Sequence, residues 1–170
     1  LIFSVSFLSN KIDTQILGFN QLFLVRDNTQ FPYLYAGAMT LGLDNNKLDN
    51  YKKWINKFSL LYKLNGFCSI DYKIYKNKIY IIDINPRLSG TYRLYKKIYE
   101  NLMYHHVGLT SKKLLSINDD YHAYIILYAK NDIVIDESIN NIEDIADTPV
   151  PGETFKKNMP VLTLNLKSNN

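Results

Sequence analysis

Cysteine is all but missing. Cys68 is the only one, so the chain can form no internal disulfide, and a reducing cytoplasm fits. No apolar run approaches the roughly 20 residues that a membrane-spanning helix needs, which argues against a membrane partner. There is also no arm of like charge. The formal net charge is +4, with the basic residues scattered among Tyr, Ile and Asn, so nothing calls for nucleic acid. A Gly-rich phosphate loop is lacking as well. His105 and His106 have no third ligand at zinc spacing, and on a helix they point apart; a pair favouring the helix C-terminal dipole is the plainer reading. The chain does not start with Met. Its apolar opening, Leu1 to Leu8, lacks the basic stretch and small-residue cleavage site of a signal peptide. The chain is therefore expected to begin inside a longer protein, at a strand.

What is present suits a packed soluble domain: 46 % hydrophobic and 21 % charged residues over 170 positions are enough for a real core. Leu1 to Leu8 reads as a strand with Ser4 and Ser6 on one side and Phe3, Val5 and Phe7 on the other. Asn10 to Asp13 is a turn, and Ile16 to Val25 completes a hairpin. Arg26 to Met39 reads as a loop broken by Pro32 and Gly37. Leu48 to Leu64 is the clearest helix, with Leu48, Tyr51, Ile55, Phe58 and Leu61 or Tyr62 on one stripe. Asp44 or Asn46 would cap its start, and Asn65-Gly66 would stop it. Two strands follow, Phe67 to Tyr75 and Ile79 to Ile84, around the turn Lys76-Asn77-Lys78. Thr91 is expected to cap a second helix reaching about His105. Tyr121 to Lys130 and Val161 to Leu166 read as strands, Ile133 to Ile145 is mixed, and Asp147 to Gly152 is loop. The order predicts an α+β fold: an antiparallel sheet with helices packed on one face. Cys68, in the run Gly66-Phe67-Cys68-Ser69-Ile70, reads as a small core residue with no His beside it to activate the thiol. Trp54 and the tyrosines read as core and surface belts.

The chemistry concentrates in Gly66 to Gly90. With the turn centred on Asn77, residues whose numbers sum to about 154 face each other across the hairpin. Asp71 and Asp83 satisfy that sum. Facing carboxylates repel unless something positive lies between them, and hard oxygen ligands at this spacing suit Mg²⁺ or Mn²⁺. Asn85, two residues past Asp83, projects from the same strand face and adds an amide oxygen. Asp83 sits among Tyr80, Ile81, Ile82 and Ile84, where an unpaired charge is costly. Arg87 follows on a loop and can hold a phosphate oxygen with its planar fork. Ser89 and Gly90 could offer backbone N–H groups to a phosphate. The same spacing equally suits an ordinary hairpin whose outward acids are neutralised by Lys73, Lys78 or Arg87. Arg93 could reach the site from the second helix or face solvent; the sequence leaves both open.

The string Ile82-Asp83-Ile84-Asn85-Pro86-Arg87-Leu88-Ser89-Gly90 resembles the closing signature of ATP-grasp enzymes: an acid, any residue, Asn, Pro, Arg and a small-residue loop, with an earlier acid about a dozen residues before. Asp71 matches the earlier acid, Asp83 stands where the family most often has Glu, and Asn85 matches the Asn. Ser4 to Leu8 with Leu17 to Gln21 is similar to the hairpin before the family's substrate loop, and Phe31 to Gly37 is similar to that loop. The tail from Ile145 to Pro149, through Pro151-Gly152, to Pro160-Val161-Leu162-Thr163 resembles the ends of small archaeal and methylotroph ATP-grasp proteins. The resemblance implies the C-terminal part of a Mg-ATP-dependent ligase that activates a small-molecule carboxylate as an acyl phosphate and joins it to an amine. It implies Asp71, Asp83 and Asn85 as metal ligands, and Arg87 at the transferred phosphate. The adenine pocket and ATP-holding lysines would come from an upstream lobe of the same protein. Residues 1–110 would form the metal- and phosphate-binding lobe, and 111–170 a strand-rich extension packed on the same domain. A homodimer is compatible. Two rivals stand beside it: a degenerate ATP-grasp remnant acting as a binding or regulatory module, and an unrelated α+β interaction domain.

Overall fold

The computed structural model describes residues 1–10, 13–25, 31–42, 45–110, 114–116 and 120–168, with backbone alone at 45–50. Strands β1 (Ile2–Asn10) and β2 (Thr14–Leu24) form the expected hairpin. Strand β3 (Tyr35–Leu41) follows, then helix α1 (Asn45–Leu61) and the hairpin β4 (Asn65–Tyr75) and β5 (Lys78–Asn85). Helices α2 (Tyr92–Tyr95) and α3 (Leu102–His106) are short. The chain ends with β6 (Tyr121–Tyr128), β7 (Ile133–Val134), a 3₁₀ turn (Glu137–Asn141), β8 (Ile145–Ala146), β9 (Thr154–Phe155) and β10 (Pro160–Ser168). Among the described residues, eight strands join one sheet in the order β5-β4-β1-β2-β3-β6-β10-β8, and every neighbouring pair is antiparallel. No described helix is long and apolar enough to cross a membrane, which says nothing of a strand-built span.

The α+β class holds, and the helices divide between the two sheet faces. Alternation along β1 and β4 is the cause. Val5, Phe7, Cys68, Ile70 and Tyr72 point to the side where Ile55, Tyr51 and Trp54 of α1 pack. Phe67 points to the other side, with Leu94 and Tyr95 of α2, Leu102 of α3 and Ile98 between them. Ser69 and Asp71 share the Phe67 side, so the polar positions lie on the α2 face.

Local departures from the sequence expectations have local reasons. Tyr35 to Leu41 is a strand rather than loop, because its edges pair with β2 and β6. Gly37 permits it: φ is +132°, and an added Cβ would strike the backbone of Tyr124. Helix α1 stops at Lys63, which adopts a left-handed φ of 52°, while Leu64 N–H donates to Ser59 C=O and Lys63 N–H to Leu60 C=O. That is a Schellman ending; Asn65 and Gly66 already belong to β4. Leu61 and Tyr62 are therefore exposed rather than in the stripe, and Leu64 packs instead. Leu48 and Asn46 have no described side chain, and Asp44 lies outside the described residues, as do Lys11, Ile12 and 26–30. The second helix is interrupted by Asn101, at φ 57°, and Thr91 makes no side-chain cap. Lys76 and Asn77 both have positive φ (47° and 58°), the pattern of a two-residue hairpin turn that matches strand twist. That turn sets the β4–β5 register from Tyr75–Lys78 to Tyr72–Ile81, and a shift between Asp71 and Tyr72 moves the pairing by one residue beyond it.

Candidate metal and phosphate site

The register pairs Asp71 with Asp83 and Ser69 with Asn85, the partners the sum rule anticipates. They are reached through a shift between Asp71 and Tyr72, since nearer the turn Tyr75 pairs with Lys78 and Tyr72 with Ile81. All four side chains point to one face by alternation. Asp71 is half-buried, Asp83 is exposed and Asn85 is buried. Burial holds the Asp71 carboxyl above its ordinary value of 3.8; the Ser4 hydroxyl opposes that shift, and the Asp83 charge adds to it. Ser4 stands opposite Asp71 on β1. Its hydroxyl is fully buried and closes no hydrogen bond of regular geometry. Neither aspartate has an ion-pair partner among the described residues, so Lys73, Lys78 and Arg87 do not neutralise them there. Asp83 Oδ1 accepts from its neighbour Ile84 N–H at 2.9 Å. Among the described residues, no three His, Cys, Asp or Glu side chains gather. The cluster here is instead two acids and an amide.

The loop carrying Arg87, Ser89 and Gly90 is fastened to the sheet by a continuous polar chain. Ser69 Oγ donates to Ser89 Oγ at 3.0 Å. Ser89 and Thr91 share a hydroxyl bond of 2.9 Å, as do Thr91 and Ser6. Asn20 Nδ2 then donates to Ser6 Oγ at 3.1 Å, and Tyr95 O–H donates to Asn20 Oδ1 at 2.7 Å. Asn20 and Ser6 are fully buried, so each link replaces a lost water contact. This network escaped the sequence reading. Its visible signal was the pair Ser4 and Ser6 facing one way from an otherwise apolar strand.

Arg87 is exposed; its guanidinium donates to the Leu88 carbonyl at 3.1 Å and meets no carboxylate among the described residues. Gly90 lies against two tyrosines: an added Cβ would sit 2.6 Å from the Tyr124 hydroxyl and 3.2 Å from that of Tyr35. Those hydroxyls bond to each other. Burial raises both tyrosines, Tyr35 well above its usual range; the Arg93 charge opposes the shift in both, and Asp71 adds to that of Tyr35. Arg93 is neither free nor wholly exposed. Its Nη2 pairs with Asp147 at 3.0 Å, and its Cζ lies 5.5 Å from the Tyr124 ring centre.

Other candidates resolve as core. Cys68 is fully buried, and burial pushes its thiol up to about 11. Trp54 packs on the α1 side. His106 accepts the Phe67 N–H through Nδ1 at 2.9 Å, a structural tie. His105 instead lines a separate cavity of about 410 Å³ with Asp13, Gln15 and Asn65.

An antiparallel sheet presenting facing acids and an amide beside a tethered loop is an oxygen-donor site built on a hairpin. The ATP-grasp domain family matches residues 2–91, more than half of the chain, a span that holds both aspartates and the loop. The chain belongs to that family. An uncharacterized protein of Methanocaldococcus jannaschii, MJ0776, is 30 % identical over 169 residues, covering 96 % of this chain. The chain spans 40 % of the length of that relative. Phosphoribosylglycinamide synthetase from Anaerococcus prevotii shares the fold at a TM-score of 0.75 with 13 % identity, over 99 % of this chain and 48 % of that one. So does the biotin carboxylase domain of Hydrogenobacter thermophilus 2-oxoglutarate carboxylase, a dimer solved with MgADP, ADP and bicarbonate. Its TM-score is 0.70 and its identity 11 %, over 98 % of this chain and 41 % of that one.

Proposed function

We propose that this chain is the metal- and phosphate-binding part of an ATP-dependent ligase, one that activates a carboxylate as an acyl phosphate for attack by an amine. The carrying observation is the Asp71–Asp83 pair: facing acids, one half-buried with a raised carboxyl, with no ion-pair partner among the described residues. Such a pair is unfavourable alone and favourable around a divalent ion. The residues fit Mg²⁺ or Mn²⁺. Asp71, Asp83 and Asn85 supply hard oxygen ligands from one sheet face, and the buried Ser4 hydroxyl, lacking a regular partner, stands next to them. When bound, the ion would neutralise nucleotide phosphate oxygens.

Within that reading, the exposed Arg87 fork donates to the oxygens of the transferred phosphoryl group, where charge develops. Ser89 and Gly90 offer backbone N–H groups from a loop that the Ser69–Thr91–Ser6–Asn20 chain holds still, so little reorganisation is needed at the reacting centre. No protein nucleophile is required. Residues 1–110 form this lobe and 111–170 its strand-rich extension, a division supported by β6 and β10 continuing the sheet past β3. ATP, the small carboxylate and amine, an upstream lobe holding adenine, a homodimer and a cytoplasmic setting belong to the same proposal. The neighbour solved with MgADP supports the nucleotide and the metal. The test is acid- and amine-dependent ADP release by the longer natural protein, beside its Asp83→Ala variant. Release should fall by at least about a hundredfold in the variant. Release that survives the substitution removes Asp83 from the mechanism.

A further inference from the structure

We propose that Arg93, with the Tyr35 and Tyr124 hydroxyls beside it, seats an anionic oxygen group next to the Asp71–Asp83 pair: a substrate carboxylate or a terminal phosphate. The inference rests on the ligase reading and names a residue beyond the signature loop. Arg93 is tied down on one side only. Nη2 is held by Asp147 at 3.0 Å, and Asp147 accepts from Thr163 Oγ1 at 2.7 Å. Those hydrogen bonds, Thr163 first, keep the Asp147 carboxyl below its usual range, so the anchor stays charged. The Tyr124 ring lies under the guanidinium. Nη1, in contrast, is buried and has no partner. An unmet charged donor in such a place is unfavourable, and a fork with one tine fixed and another unpaired is preorganised for a second anion. The side chain as a whole is 29 % exposed, while Nη1 itself is covered.

Its surroundings put that anion at the site. The charges of Asp71 and Arg93 both act on the Tyr35 hydroxyl, in opposite directions. The tyrosine pair leans on Gly90 of the signature loop. Acids, tyrosines and guanidinium thus follow one another across the α2 face. Arg93, Tyr124, Asp147 and Thr163 all lie outside the span that the family matches, so the C-terminal extension would complete the site.

The test follows NMR signals of Gly90 and Tyr124 in the whole chain with Mg²⁺ present, as sodium acetate and, separately, inorganic phosphate are added. At least one anion is expected to shift them saturably. Arg93→Gln should weaken that binding by about tenfold or more, as loss of a charge-assisted bond does. Arg93→Lys, which keeps charge without the fork, should weaken it less. Saturation by acetate names the carboxylate, and saturation by phosphate the nucleotide end. Absence of a shift with either anion, or undiminished binding in a folded Arg93→Gln chain, overturns the proposal. Mn²⁺ affinity read by electron paramagnetic resonance should persist in Arg93→Gln and weaken in Asp71→Asn. Failure of the wild type to bind Mn²⁺ would sink the metal reading and leave the anion titration to be judged separately.

Discussion

Asp71→Asn is the substitution whose consequence can be worked through most fully. It removes one of two facing carboxylates and keeps the shape of the side chain. At a cross-strand separation of about 5 Å, two unit charges repel by about 3 kcal/mol at an effective dielectric of ~20 and by about 0.8 kcal/mol in water. Asp83 is exposed, which selects the low end, about 1 kcal/mol. The partial burial of Asp71 adds in the same direction. The metal-free variant at pH 7 should therefore be more stable than wild type by about 1 kcal/mol, or roughly 2–4 °C in Tm for a chain of this size. The pH dependence has a definite sign. The folded Asp71 carboxyl titrates above its unfolded value of 3.8, so the native state holds this proton more tightly. Its stabilising contribution is full below 3.8 and is lost as pH rises through the folded value. Asp71→Asn should flatten that decline. Excess Mg²⁺ should raise the wild-type Tm and leave the variant nearly unmoved. Thermal unfolding by circular dichroism, from pH 4 to 7.5 in EDTA and then in Mg²⁺, reads all of this. A variant less stable than wild type at pH 7 in EDTA would refute the reasoning.

Three further outcomes are expected. Asn20→Leu leaves Tyr95 and Ser6 without their shared buried partner; chemical denaturation should show a loss of about 1–3 kcal/mol, and amide exchange should quicken at Ser89 and Thr91. Gly90→Ala drives a methyl toward the Tyr124 hydroxyl, so the tyrosine pair must shift; the near-ultraviolet tyrosine signal should change, with a destabilisation of about 1–3 kcal/mol. Cys68, fully buried with its thiol raised to about 11, should resist a thiol reagent at pH 8 in the native chain and react promptly in denaturant.

The facing of Asp71 and Asp83 was readable by counting from a turn centred on Asn77, and alternation put Asn85 on the same side. The turn itself is Lys76-Asn77, which pairs Tyr75 with Lys78 and Tyr72 with Ile81; a register shift between Asp71 and Tyr72 restores the expected partner, and counting could not foresee it. Strand β3 was not readable. Pro32 and Gly37 look like breakers, and the strand exists because β2 and β6, far apart in sequence, pair with its two edges. The break in the second helix was not readable either: its local pattern is helical throughout, yet Asn101, a residue type that tolerates the left-handed region, adopts it. Arg93 could not be placed because its anchor, Asp147, lies 54 residues away. The division of helices between faces was hidden too, since β4 alternates polar with apolar only near Ser69 and Asp71, and both of its faces are buried there.

Paramagnetic broadening by Mn²⁺ offers the most direct check of the oxygen-donor site. Substoichiometric Mn²⁺ should erase the backbone signals of Ser69, Asp71, Asp83 and Asn85 first, with Ser4 and Ser89 next, and Mg²⁺ in excess should restore them. Broadening centred on Asp132 and Asp136, or uniform along the chain, would mean that the facing aspartates do not hold a metal.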